Sequence, residues 1–146
     1  MSYKLSRAVN ELSQIIGFLY FCKSQVSYFR LSVINILKMF VSEKSESVPE
    51  FLVECAELCD EIDLRKAWNV SLSAKPLLSE KATQMLIDFG NRIGTSDTRT
   101  QLDYIDYYIR EAEKLLEVAE NKEKESSKLY IILGISTGVL SAIMII

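Results

Sequence analysis

The chain has three cysteines, Cys22, Cys55 and Cys59, and no histidine. Cys55 and Cys59 are four residues apart, one turn of helix, so their thiols share a face and offer half of a metal site. A structural zinc site needs four Cys or His ligands, and catalytic zinc nearly always recruits histidine. The competing reading is a set of small buried thiols, the commonest setting of free cysteine. A cysteine nucleophile at Cys55 or Cys59 would need a cation or a helix N-terminus to hold the thiolate, yet both fall mid-helix on an apolar face. The lack of histidine also removes the Ser-His-Asp triad, the Cys-His pair and the HExxH zinc box. No Walker A loop or GxGxxG turn is present to cradle a phosphate. The carboxylate pairs Glu54/Glu57 and Glu111/Glu113 fall on polar helix faces. Solvent there denies them the separated pKa values that acid–base catalysis requires. The expectation is a non-enzymatic protein with no cofactor, no metal and no small-molecule substrate.

Two other groups of residues invite a binding role. Asp63, Arg65 and Lys66 beside Trp68 would form a charged docking edge, or else Trp68 is a core anchor with ordinary surface charge around it. The run Asp103-Tyr104-Ile105-Asp106-Tyr107-Tyr108 would make a recognition surface, since tyrosine favours interfaces. Equally, Tyr104 and Tyr108 would lie along a packed seam. The formal charge of −3 on 146 residues is nearly balanced, which argues against a nucleic-acid partner. An odd cysteine count without a secretory signal fits a reducing compartment.

The elements that position these residues read as helices throughout. Two prolines and five glycines are few for a fold built on many tight turns. Leu5, Ala8, Val9, Leu12, Ile15, Ile16, Leu19, Cys22 and Val26 recur at steps of three and four, predicting a long first helix that tolerates Gly17. A bend near 29–31 leads to a second apolar stretch over Val33–Val41. After the polar run 42–47, Ser47, Pro49 and Glu50 predict a capped helix start, with Phe51, Leu52, Cys55, Ala56, Leu58 and Cys59 inward. A short helix over Asp63–Ser73 carries Trp68. Beyond Pro76, the stripe Leu78, Ala82, Met85, Leu86, Phe89 and Ile93 predicts another, closed by Gly94. The last helix opens at Thr98 with Gln101 as its capping-box partner, and Leu102, Ile105, Ile109, Ala112, Leu116 and Ala119 form an inner seam.

From Leu129 to Ile146 no residue is charged. A helix of that length spans about 27 Å, close to the hydrocarbon core of a bilayer. Lys122, Lys124 and Lys128 precede it, so the positive-inside rule places the preceding domain in the cytoplasm. Gly134, Gly138 and Ala142 form a stripe that would let another membrane helix approach. The expected organisation is an all-α bundle of five or six helices over residues 1–120, a charged helical stalk over 121–128, and one transmembrane helix over 129–146.

The second half of the chain resembles stage III sporulation protein AB. Lys66-Ala67-Trp68 is similar to that family's short tryptophan helix. Leu86, Phe89-Gly90, Ile93-Gly94-Thr95-Ser96-Asp97 and Gln101 are similar to its glycine- and aspartate-marked stretch. Lys128-Leu129-Tyr130, Leu133-Gly134 and Gly138 resemble the opening of its C-terminal membrane helix. Residues 1–62 fit as a general helical pattern. The family usually begins with a membrane helix, whereas this chain opens at Met1-Ser2-Tyr3-Lys4 directly into an amphipathic helix. The resemblance implies a bundle similar to the cytoplasmic domains of the type II secretion platform protein. It also implies a scaffold that holds a secretion-type ATPase, with other sporulation channel components, at the mother-cell side of the membrane. It implies no catalytic residue. Asp97 and Trp68 match the family motif, and with Arg65 and Lys66 they are the candidate docking residues. The alternative is a tail-anchored helical adaptor unrelated to sporulation.

Overall fold

Apolar side chains at steps of three and four wind the described chain into six helices, with no strand among the described residues. A computed structural model describes the backbone of residues 2–29, 32–44, 48–92 and 97–145, and side chains at 7–28, 32–44, 48–92 and 97–122. The helices are α1 (Ser2–Phe29), α2 (Val33–Glu43), α3 (Glu50–Leu58), α4 (Leu64–Ala74), α5 (Glu80–Arg92) and α6 (Thr98–Ile145).

The first and last helices form the most extensive pairing. They run antiparallel: Lys23 pairs with Asp106 at 2.8 Å, and Tyr20 donates to Glu113 at 3.2 Å. Leu12, Ile15, Leu19, Cys22 and Val26 of α1 are buried, as are Ile105, Ile109 and Ala112 of α6. Helices α2 to α5 close the other sides of this pair.

Trp68 of α4 sits at the centre, 1% exposed. Its ring lies 6.2 Å from Phe18 of α1, 5.3 Å from Phe51 of α3 and 5.5 Å from Phe89 of α5. Its Nε1–H donates to the Leu86 carbonyl at 2.6 Å, which satisfies the indole's one polar group. Gly90 makes this approach possible. A Cβ there would stand 2.2 Å from Trp68 Cδ1. Phe89 carries the aromatic chain on to Tyr108 of α6, edge-on at 5.5 Å.

Several boundaries depart from the sequence reading. Helix α3 begins at Glu50 with Pro49 at its N-cap and no side-chain cap; Ser47 lies outside the described residues. Leu78 belongs to the turn before α5 and is 45% exposed, while its neighbour Leu77 is buried. The reason is local: the Leu77 N–H donates to Thr83 Oγ1 and the Leu78 N–H to Glu11 Oε2. The turn is thereby pinned with Leu77 inward. Ser79 Oγ accepts from the Ala82 N–H and starts α5. Ile93 and Gly94 lie outside the described residues. Helix α6 opens at Thr98 as expected, but its cap is Asp97, whose Oδ1 accepts from the Thr100 N–H at 2.8 Å.

Candidate partner-docking site

The antiparallel order of α3 to α6 gathers the predicted docking residues at one end of the bundle. There α3 meets α4 and α5 meets α6, and this is the end opposite to the one from which α6 continues past the core. Two aspartates build the end by capping helices. Asp63 Oδ1 accepts from the Lys66 N–H at 2.8 Å, and Asp97 does the same for α6. Each satisfies one of the N–H groups that a helix start leaves open. The hydrogen bond from the Thr100 N–H holds the Asp97 carboxyl below the usual carboxylate range.

Arg65 leaves α4 at this end and donates through Nη2 to the Asn91 carbonyl at 3.0 Å. That carbonyl belongs to the last turn of α5, where a cation complements the unsatisfied C=O groups. Arg92 lies 5.7 Å from the Tyr104 ring centroid. Lys66, Arg65, Arg92 and Arg99 are exposed beside Asp60, Glu61, Asp63 and Asp97, so the end carries charges of both signs. Lys66 reaches solvent from the turn that Asp63 caps.

The four candidates therefore part company. Arg65, Lys66 and Asp97 share this end, with Arg65 and Asp97 also bracing it. Trp68 does not belong to a docking edge. Its indole is buried among three phenylalanines, because the turn that exposes Arg65 and Lys66 rotates Trp68 inward. Sequence reasoning missed Asn91 and Arg92, which face this end from α5. The run of polar residues after Phe89-Gly90 was the only sign of them.

The tyrosine cluster divides as well. Tyr108 is buried on the α5–α6 seam, Tyr104 is half-buried, and Tyr107 is exposed with its ring edge-on to Tyr108 at 5.0 Å. All three cysteines are free thiols. Burial pushes the Cys22, Cys55 and Cys59 thiols up, the opposite of what a thiolate nucleophile needs. Among the described residues no three Cys, Asp or Glu side chains converge as metal ligands, and none of their helices is long and apolar enough to cross a membrane. The predicted span 129–146 and its stripe Gly134, Gly138 and Ala142 lie outside the described side chains. Over 129–145 the backbone continues α6 as helix.

A family model described as stage III sporulation protein AB matches residues 1–146. The chain belongs to that family. The match takes in residues 1–62, where the sequence itself offered only a helical pattern. Membership of the stage III sporulation protein AB family places the protein's role in sporulation. Comparison with curated proteins and with solved structures finds no match.

Proposed function

We propose that this family member is a non-enzymatic, membrane-anchored scaffold of a sporulation complex, which docks a secretion-type ATPase on the charged end of its bundle that carries Arg65, Lys66 and Asp97. Residues 129–146 are the anchor, and the bundle faces the cytoplasm on the mother-cell side. The observation that carries the reading is the separation of two functions along α6. Its C-terminal run is uncharged for the thickness of a bilayer. Its N-terminus joins the end where Arg65, Lys66, Arg92 and Arg99 are exposed. A partner at that end would sit roughly the bundle's length away from the membrane surface, within reach of the cytosol. Thiols raised by burial at Cys22 and Cys55 suit a scaffold better than a cysteine catalyst.

The test uses the full chain, solubilised in mild detergent, as bait for the ATPase. Retention at micromolar concentration is expected, and Lys66→Glu should weaken it without disturbing the fold, since the Lys66 side chain is exposed. Absence of retention by the wild-type chain would sink the docking reading. Release of the chain from membranes by alkaline carbonate would sink the anchor.

A further inference from the structure

Helix α1 starts well before the core does. Among the described side chains its buried stripe opens at Leu12, yet the helix itself begins at Ser2. That leaves a lead of about 15 Å ahead of the first core position. At the same end α6 runs on past Ala112, the last of its buried residues among those described, toward the uncharged run that opens at Leu129. Because the two helices are antiparallel, α1 begins on the side from which the anchor leaves.

Three pairings fix how far that lead reaches. Ala8 and Lys122 line one groove at this end, Tyr20 meets Glu113, and Lys23 meets Asp106. From Ala8 back to Ser2 the helix runs about 9 Å, and from Lys122 on to Leu129 about 10 Å. Measured from Tyr20 and Glu113 the two distances are about 27 and 24 Å, and from Lys23 and Asp106 about 32 and 35 Å. Each pairing sets Ser2 within about 3 Å of the level of Leu129. The start of α1 therefore stands where the uncharged run begins.

The sequence at that level is basic and aromatic. Residues 1–10 include Tyr3, Lys4 and Arg7 but no acid, and the first acid of α1 is Glu11. On α6 the same level holds Lys124 and Lys128 with Glu123 and Glu125, and Tyr130 follows. Over residues 1–7 and 123–129 the four cations outnumber the two acids. Tyrosine and basic residues are what a membrane–water interface collects. An anionic leaflet attracts lysine and arginine held within a Debye length of it.

We propose that the first turns of α1 rest on phospholipid headgroups beside the anchor, with Lys4 and Arg7 meeting the phosphates. The inference rests on the anchored reading above and adds a second point of attachment to it. A bundle carried on one helix alone is free to lean over the bilayer. A neighbouring helix that ends on the headgroups holds the bundle upright, with its charged end turned away from the membrane.

The test uses the full chain in vesicles of phosphatidylglycerol and phosphatidylcholine, with a nitroxide quencher on some of the headgroups. In a Cys59→Ser background, a fluorophore on Ser2→Cys is compared with one on Ser27→Cys, an exposed position about 37 Å along the same helix. Quenching at position 2 should exceed that at position 27 several-fold. Lys4→Glu combined with Arg7→Glu should reduce quenching at position 2, and more so as the share of phosphatidylglycerol rises. Flotation of the same vesicles reports the anchor separately. A chain that floats but is quenched equally at both positions overturns this inference alone, as does quenching at position 2 that the double reversal leaves unchanged. A chain that does not float overturns the anchored reading, and this inference with it.

Discussion

Replacing Gly90 by alanine tests the packing of the only tryptophan against its neighbouring helix. In an open helical position that change stabilises by about 1 kcal/mol. Here the new methyl would meet Trp68 at 2.2 Å from Cδ1 and 2.6 Å from Nε1, well inside contact distance, and the indole sits in a full aromatic cluster with nowhere to retreat. Overpacking of this kind costs about 1–3 kcal/mol. Displacing the ring also breaks the hydrogen bond to the Leu86 carbonyl and leaves a buried N–H unpaired, a further loss of about 1–3 kcal/mol. Set against the helical gain, the net destabilisation centres on about 3 kcal/mol, with the same principles bracketing it between about 1 and 5. For a domain of this size that lowers the melting temperature by roughly 10 °C. The assay is thermal unfolding of the full chain in mild detergent, followed by tryptophan emission, since Trp68 is the sole source. Its native emission should also shift to longer wavelength in the variant. A midpoint equal to or above that of wild type would refute the reasoning, because helical propensity would then have outweighed the clash.

Gly17, in an open helical position, should respond with the opposite sign. Gly17→Ala should raise stability by about 0.5–1 kcal/mol in chemical denaturation. Asp97 should make stability acid-sensitive. Its carboxyl is held below the ordinary range in the folded chain, so its contribution is complete above the unfolded value of about pH 4 and is lost as pH falls through the lower folded value. Unfolding measured from pH 6 to pH 2 should therefore show a steeper acid loss for wild type than for Asp97→Asn. Alkylation at pH 8 should leave Cys22 and Cys55 unmodified in the folded chain, with Cys59 reacting slowly. All three should react in denaturant, as mass spectrometry would read.

Wherever apolar periodicity is long and its packing face is single, the sequence predicted structure well. The steps of three and four in α1 and α6 placed Leu12, Ile15, Leu19, Ile105 and Ala112 inward, where they are. Short elements were harder, because their boundaries depend on caps that compete at neighbouring positions. Asp97 and Thr98 both have partners three residues on, and it is Asp97 that accepts from the Thr100 N–H. In the Lys75-Pro76-Leu77-Leu78 turn, hydrogen bonds from the Leu77 and Leu78 N–H groups to Thr83 and Glu11 chose which leucine is buried, and no local pattern encodes that choice. Trp68 was open between edge and core because its decisive neighbours, Phe18, Phe51 and Gly90, are distant in sequence. The docking end was half legible. Arg65, Lys66 and Asp97 were visible as charges near motifs, but the contribution of Asn91 and Arg92 depends on the antiparallel return of α5.

The pairing of α1 with α6 has a consequence for how the chain reaches its native state. Helix α1 is synthesised before α2 to α5 and must wait for α6, so its apolar stripe lacks that cover while they are made. Its closing contacts join residues far apart in sequence, 93 positions for Tyr20 and Glu113, which slows the final step relative to bundles that join neighbours. Until then the nascent helix presents Leu12, Ile15, Phe18 and Leu19 as a sticky surface, a natural client for a chaperone. A chain cut anywhere before α6 would lose the main cover of its first helix, and no shorter N-terminal piece would be expected to persist as a folded unit.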